Sequence, residues 1–197
     1  MRTQLKQLAA CQSGTAILEF AFALPVVLLL VTGIMEFALL NFATSLLEGG
    51  LREAARYGIT GLNATDGSRE ARIVEIVNEH AAGLFTITSD NVETLEYQDF
   101  SEIGEPEPYT DSNGNGAYDA GEPYTDVNCN GQWDADRGAH GVGAGDEVVL
   151  YRVTYDQSTV TGLLDPLIAP NGTVTLEASI AVRNEPFPGG ETACPSS

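Results

Sequence analysis

The sequence predicts an α+β protein: a long N-terminal transmembrane helix, then a second helix and a small antiparallel β-sheet with an acidic insertion. Three observations lead to this class. A strongly apolar stretch extends from Ile17 to Leu47, the hydrophobic period changes from helical to alternating after the second helix, and residues 101–145 fit neither period. The 197 residues are enough for one modest domain and a membrane anchor.

The composition argues against two classes of function. The net charge is −19 and Lys6 is the one lysine, whereas binding to nucleic-acid phosphates needs clustered Lys and Arg, so we expect no nucleic acid as a partner. The chain also shows no Ser/His/Asp or Cys/His arrangement. The glycines around His140 do not join a strand to a helix, so they predict no phosphate-binding loop. We therefore expect no enzyme activity.

The N-terminus determines the topology. Arg2 and Lys6 precede an apolar segment, about residues 17–40, that is long enough to cross a bilayer. The positive-inside bias places residues 1–14 in the cytoplasm and everything beyond about residue 45 outside it. Two carboxylates, Glu19 and Glu36, interrupt the segment. We expect Glu36 to be solvated near a membrane face, and Glu19 to be functional because intramembrane carboxylates are costly.

The string Gly14-Thr15-Ala16-Ile17-Leu18-Glu19-Phe20 resembles the processing site of type IV pilins. Residues 13–58 as a whole resemble the TadE-like pseudopilins of the Tad (Flp) pilus system, through Leu24-Pro25, residues 33–37 and residues 52–57. Phe20 stands where the fibre pilins of that system carry tyrosine, and the chain is much longer than theirs. The resemblance therefore indicates a minor pilin or pseudopilin rather than the main fibre subunit.

This resemblance implies a domain organisation and partners. Residues 1–14 would be a cytoplasmic leader that a prepilin peptidase removes by cutting between Gly14 and Thr15. Residues 15–58 would form the long helix, and residues 59–197 the exported domain. Glu19 would pair with the Thr15 α-amine of a neighbouring subunit during assembly. The other implied partners are further pilins and the inner-membrane assembly platform.

The exported domain begins with a helix and continues with strands. Ser68 can cap a helix over about 69–82, whose apolar face contains Ile73, Ile76, Val77 and His80, with His80 as a packing residue. Residues 173–183 alternate as a half-buried strand, residues 146–155 form a strand that is apolar on both faces, and residues 92–97 form a weaker one.

The acidic insertion, residues 101–145, contains two copies of a calcium-loop pattern that resembles the repeats of dockerins and thrombospondin type 3 modules. Hard oxygen ligands at alternate positions with glycine at the sixth suit calcium. In the second copy the closing position is Arg137, so Asp136 or a carboxylate shared from the first loop would substitute. The alternative is a solvated cluster of turns. The predicted ligands are Asp111, Asn113, Asn115, Ala117, Asp119 and Glu122, then Asp126, Asn128, Asn130, Gln132, Asp134 and Asp136. Tyr118 and Trp133 occupy equivalent positions and are predicted to form a local core.

The cysteine count follows from the predicted cleavage. Cys11 would leave with the leader, and Cys129 and Cys194 would remain outside the cytoplasm, where disulfides persist. We expect these two to form a disulfide, and the alternative is two exposed residues that never meet.

Three readings of function remain open at this point. The first is a minor pilin or pseudopilin of a Tad-like machine, located in the bacterial inner membrane with a periplasmic or extracellular domain. The second is a calcium-dependent surface adhesin. The third is a membrane-anchored structural protein that does not polymerise.

Overall fold

The computed structural model describes residues 15–59, 69–162, 165–169 and 171–186. The predicted leader, the Ser68 cap and Cys194 lie outside these residues. The described chain forms two compact units. One contains residues up to Phe42 together with Gln157–Val174, and the other contains Ala43–Asp156 together with the residues from Thr175 onward.

A single long helix, α1, spans Thr15–Gly58. Its end agrees with the predicted one, and its predicted start stays a prediction because Thr15 is the first described residue. Pro25 lies inside it, and the helix continues past both Pro25 and the Gly49-Gly50 pair. Its N-terminal part is long and apolar enough to cross a membrane, and its most apolar stretch is not buried by the rest of the chain. Beyond that part, side chains at helical spacing enter the core: Ala43, Leu47, Leu51, Ala54 and Ala55.

The second helix, α2, spans Arg69–His80. Ile73, Ile76 and Val77 are buried as predicted, but the prediction for His80 was wrong, because its side chain is exposed. Its Nδ1 lies 3.0 Å from the carbonyl oxygen of Ile76 one turn earlier. His80 therefore lies on the exposed side of the last turn and contacts its own helix, while Val77 in the same turn stays buried.

Four strands form an antiparallel sheet in the order β2-β1-β3-β4, where β1 is Val92–Tyr97, β2 Ala139–His140, β3 Val148–Ser158 and β4 Thr173–Arg183. A short helix, α3, spans Asp165–Ile168 between the last two strands. β1 pairs with β3, so that Thr94 lies opposite Tyr151 and Leu95 opposite Leu150. The predicted β3 begins two residues and ends three residues too early, and the sequence did not predict β2.

Both faces of β3 are buried, as its apolar pattern predicted. Alternation along the strand places Val149, Tyr151 and Val153 on one face, and all three are fully buried. Leu150 and Val148 lie on the other face, in a cluster with Leu95 and Tyr97 that Ile103 and Ala181 cover. Since Ile103 belongs to the acidic insertion, the insertion covers one face of the sheet.

The glycine-rich stretch before β3 allows close packing against β1. A Cβ atom at Gly138 would lie 2.7 Å from the ring of Tyr97, and one at Gly141 would lie 2.5 Å from the Glu96 carboxylate. The backbone N–H of Gly141 donates to the carbonyl oxygen of Thr94 at 3.2 Å. Gly138 is therefore structural, because a side chain there would collide with the buried ring of Tyr97, whereas one at Gly141 would displace the Glu96 carboxylate.

A matched pair of glycines in α1 tests this packing. A Cβ at Gly58 would lie 2.4 Å from the hydroxyl of buried Tyr151, whereas one at Gly49 meets nothing within 4 Å. We expect Gly58→Ala to lower the free energy of unfolding by about 1–3 kcal/mol through overpacking. Gly49→Ala should raise it by up to about 1 kcal/mol, because alanine favours helix. Thermal unfolding of the full chain in detergent measures both; equal effects at the two positions would contradict the packing described.

Candidate functional site

The N-terminal part of α1 presents the features that the resemblance singled out. Thr15, the first described residue, lies in the helix, and Glu19 lies four residues later with an exposed side chain. Residues 16–31 are exposed throughout and include no charged residue other than Glu19. This surface is suited to lipid or to the helices of neighbouring subunits.

Glu36 does not lie where the sequence analysis placed it. Its side chain is 2% exposed, so the expectation of a solvated carboxylate was wrong. One carboxylate oxygen accepts the backbone N–H of Val160 at 2.6 Å, and the other accepts the N–H and the hydroxyl of Thr161 at 3.3 and 3.2 Å. The reason is that the loop between β3 and β4 returns to α1 and supplies donors that replace water around the carboxylate.

The first predicted calcium loop has the expected backbone. Asp111 accepts the backbone N–H groups of Gly114 and Gly116 at 2.6 and 2.8 Å. Gly114 and Gly116 have positive φ angles of 75° and 80°, a conformation that glycine adopts at little cost. The side-chain amides of Asn113 and Asn115 donate to one oxygen of Asp119 at 2.6 and 2.7 Å. Four of the predicted ligand side chains are therefore gathered in one loop.

The second loop repeats this arrangement. Asp126 accepts the backbone N–H of Gly131 at 2.9 Å, and the side-chain amide of Asn128 donates to Asp134 at 2.8 Å, while that of Asn130 donates to the same oxygen. The residues equivalent to Gly114 and Gly116 are Cys129 and Gly131, with φ angles of 59° and 79°. The two loops thus share one backbone conformation, including a left-handed cysteine where the first loop has glycine.

Each loop is closed by the carboxylate of a glutamate that accepts two of the loop's backbone N–H groups. In the first loop Glu122 accepts the N–H groups of Ser112 and Asp119 at 2.8 and 3.0 Å. In the second loop the equivalent N–H groups, of Val127 and Asp134, donate to Glu107 at 2.6 and 3.2 Å. Glu107 is 0% exposed. It precedes the first loop in sequence, yet it occupies in the second loop the place that Glu122 has in the first.

Glu107 was missed because the repeat was taken to begin at Asp111. The chain reads Glu-Pro-Tyr-Thr-Asp at 107–111 and again at 122–126, so Glu107 and Glu122 are equivalent residues. The backbones of the two copies pair, with Thr110 donating to Pro123 and Thr125 to Pro108, both at 2.8 Å. This antiparallel pairing brings each glutamate to the other copy's loop. A search for a fifteen-residue repeat would have found the signal.

Arg137 and Asp136 have other contacts. The guanidinium of Arg137 donates to the carbonyl oxygen of Pro106 at 2.7 and 3.1 Å, next to Glu107. Asp136 accepts the hydroxyl of Tyr97 at 2.8 Å and the N–H of Gly138 at 3.1 Å. Burial and this hydrogen bond raise the pKa of Tyr97 well above its usual range. Arg137 therefore helps to hold Glu107, and Asp136 links the insertion to β1.

The predicted aromatic core of the insertion is confirmed and is larger than expected. The rings of Tyr118 and Trp133 stack with their centroids 4.3 Å apart. Tyr109 packs edge-on against both at 5.8 and 5.9 Å, and Tyr124 packs edge-on against Tyr118. The indole N–H of Trp133 donates to the carbonyl oxygen of Glu107 at 3.0 Å. This core ties the two loops to each other.

The donor chemistry of the loops is oxygen-rich. The backbone N–H of Gly116, followed by those of Gly114 and its neighbours, lowers the pKa of the Asp111 carboxyl, which therefore stays ionised at neutral pH. Within the described residues, no three His, Cys, Asp or Glu side chains are gathered so as to hold a metal ion. A cation in either loop would therefore need amide and main-chain oxygens besides the carboxylates.

Cys129 is disulfide-bonded. It is exposed and lies at the tip of the second loop. Cys194, the predicted partner, lies outside the described residues, so that pairing stays a prediction.

The described chain combines a helix that is long and apolar enough to cross a membrane with a small antiparallel sheet. Residues 14–56 match the family model described as TadE-like protein. Members of that family are pilus components and not enzymes, so the match supports a TadE-like protein of a Tad pilus system. No curated protein matches the chain, and no solved structure matches it. The match covers α1 alone, and the sheet and the acidic insertion lie beyond it.

Proposed function

We propose that the protein is a minor pilin or pseudopilin of a Tad-like type IV pilus assembly system. It is anchored in the bacterial inner membrane through α1 and carries a calcium-stabilised domain outside the cytoplasm. One observation supports this above the others: the TadE-like match at residues 14–56 falls on a long helix that carries Glu19 in its N-terminal part and exposes its apolar side chains there.

The proposed processing explains this arrangement of residues. A cut between Gly14 and Thr15 by a prepilin peptidase creates an α-amine at the start of an apolar helix. Glu19 lies about one helical turn further along, so the carboxylate of one subunit can meet the amine of a neighbour in a helical stack. Each charge alone is costly in an apolar environment, and pairing offsets that cost. Incorporation through α1, among other pilins and the assembly platform, would depend on this pair.

The processing step is tested by changing the residue before the cut. In cells with the cognate pilus machinery, Gly14→Val should leave a full-length, membrane-bound precursor, because the peptidase requires a small residue there. Ser13→Ala, its neighbour, should be processed normally. Intact mass of the purified protein distinguishes the two forms. A wild-type N-terminus at Met1, or beyond residue 40, would contradict the pilin assignment.

The assembly step is tested at Glu19. Glu19→Gln keeps the size of the side chain and removes its charge, so the protein should insert and be cut but fail to enter pilus-system complexes. Glu48→Gln is the matched control, because Glu48 lies on the same helix in an exposed ion pair with Arg52 at 3.2 Å. Co-purification with the assembly platform measures incorporation. Incorporation of Glu19→Gln to the same extent as Glu48→Gln would show that the Glu19 carboxylate is merely interfacial and does not pair with a neighbouring amine during assembly.

The proposed calcium sites use the two loops of the insertion. In each loop two asparagine amides now donate to one aspartate, and half a turn about their terminal torsions would present oxygens instead of N–H groups to the same place. With main-chain carbonyls at Ala117 and Gln132, each loop then offers the oxygen set that calcium prefers. Glu122 would close the first loop and Glu107 the second, and each would add a third carboxylate to the two aspartates of its loop once a cation drew them together. Asp136, bonded to Tyr97, is not needed to close the second.

Calcium would stabilise a segment that has only a small apolar core of its own. The insertion is rich in glycine and acidic residues, and its own core is four aromatic rings. Cations neutralise the carboxylates that converge in each loop, and binding is then coupled to local folding. Extracellular calcium modules have dissociation constants of roughly 10⁻⁴–10⁻³ M, which suits calcium levels outside the cell.

Calorimetry of the full chain in detergent tests both sites. We expect two calcium ions to bind with dissociation constants of roughly 10⁻⁴–10⁻³ M. Asp111→Ala combined with Glu122→Gln should remove one site, and Glu107→Gln should remove the other. Glu105→Gln, at an exposed glutamate two residues away, should leave both.

Calcium should also protect the chain between Gly114 and Gly131 from protease in the wild type. Absence of calcium heat at millimolar concentrations, with an unchanged protease pattern, would remove calcium from this proposal. Loss of a site in Glu105→Gln but not in Glu107→Gln would show that the second loop closes differently.

A further inference from the structure

We propose that the loop between β3 and β4 rests on the membrane surface on the exported side, with its apolar side chains in the boundary between headgroups and acyl chains. This loop, here named the Glu36 loop, comprises the described residues 159–162, 165–169 and 171–172. The inference rests on the proposed membrane anchoring and adds a second, peripheral contact with lipid to it.

The position of Glu36 along α1 sets the depth of the loop. Twenty residues separate Ala16 from Glu36, and at 1.5 Å per residue they span about 30 Å, which is the thickness of the hydrocarbon core. Residues between Phe20 and Met35 carry no charge. Glu36 therefore falls where the helix leaves the hydrocarbon, and the loop bonded to it lies at the same level.

Hydrogen bonds hold the loop at this level. Glu36 accepts from Val160 and Thr161, as described above, and its burial shows that the loop covers it. The loop is also tied to itself. The hydroxyl of Thr159 donates to the Asp165 carboxylate at 2.7 Å, and the backbone N–H of Thr159 donates to Gly172 at 3.2 Å. The loop is thus a small fixed element and is suited to lie against a surface.

The composition of the loop fits lipid rather than water. Residues 159–172 include one charged residue, Asp165, in a chain with 28 Asp and Glu. Val160 is 67% exposed and Ile168 is 44% exposed. On α1 the neighbouring residues Ile34 and Phe37 are also exposed. Exposed apolar side chains that continue a transmembrane surface are typical of contact with the membrane interface. The loop also has few carboxylates, which anionic lipid headgroups would repel.

Depth-dependent quenching in the full-length protein tests the proposal. Val160→Trp and Leu28→Trp are each reconstituted into bilayers whose lipids carry bromine near the headgroup end or near the end of the acyl chain. The wild type, with Trp133 alone, provides the background. We expect shallow bromines to quench the new tryptophan at 160 about twofold more than deep ones, as for a group 5–10 Å into the interface. At position 28, within the helix, deep bromines should quench more.

The two positions separate the two claims. Quenching at 28 without quenching at 160 would overturn the interfacial loop while leaving the anchor intact. Absence of quenching at both would overturn the anchor itself. Adding Glu36→Ala to Val160→Trp should abolish the shallow quenching at 160 and leave membrane insertion unchanged, because the helix only becomes more apolar. Unchanged quenching in that double variant would show that Glu36 does not hold the loop at the interface.

Discussion

One helix has to satisfy two environments, and the rest of the structure follows from that constraint. The first part of α1 exposes apolar side chains in every direction, as a helix surrounded by lipid does. From Ala43 onward the same helix has an apolar stripe that is buried in the core of the domain, with Leu47 and Leu51 fully enclosed. No loop interrupts α1 between these two parts, so the same helix serves as anchor and as core element.

Two buried glutamates each hold a segment that is distant in the sequence. Glu36 gathers the loop between β3 and β4 onto α1, and Glu107 gathers the second half of the insertion. In both cases backbone N–H groups from a distant segment replace the water that a carboxylate would otherwise require. Removing either side chain would leave those donors without this partner, so each carboxylate helps to fix the path of the loop that is bonded to it.

The sequence predicted the elements whose signals are local. The helical and alternating periods located α1, α2 and β4 closely, and the motif spacing located the two loops. What it could not predict depends on contacts between distant segments. The burial of Glu36 needs the return of the chain at Val160, and the role of Glu107 needs the antiparallel pairing of the two repeats. β2 is two residues long, too short for any period, and it depends on glycines that let it approach β1.

The central claim is that α1 crosses the membrane and then enters the folded domain. It is tested most directly by labelling the native protein in membranes with a photoreactive group on the lipid acyl chain and locating the labelled residues by mass spectrometry. The account predicts labels within residues 17–35 and none at Leu47 or Leu51, which the domain encloses. Labels at Leu47 and Leu51 as strong as those in residues 17–35, or none in residues 17–35, would contradict it.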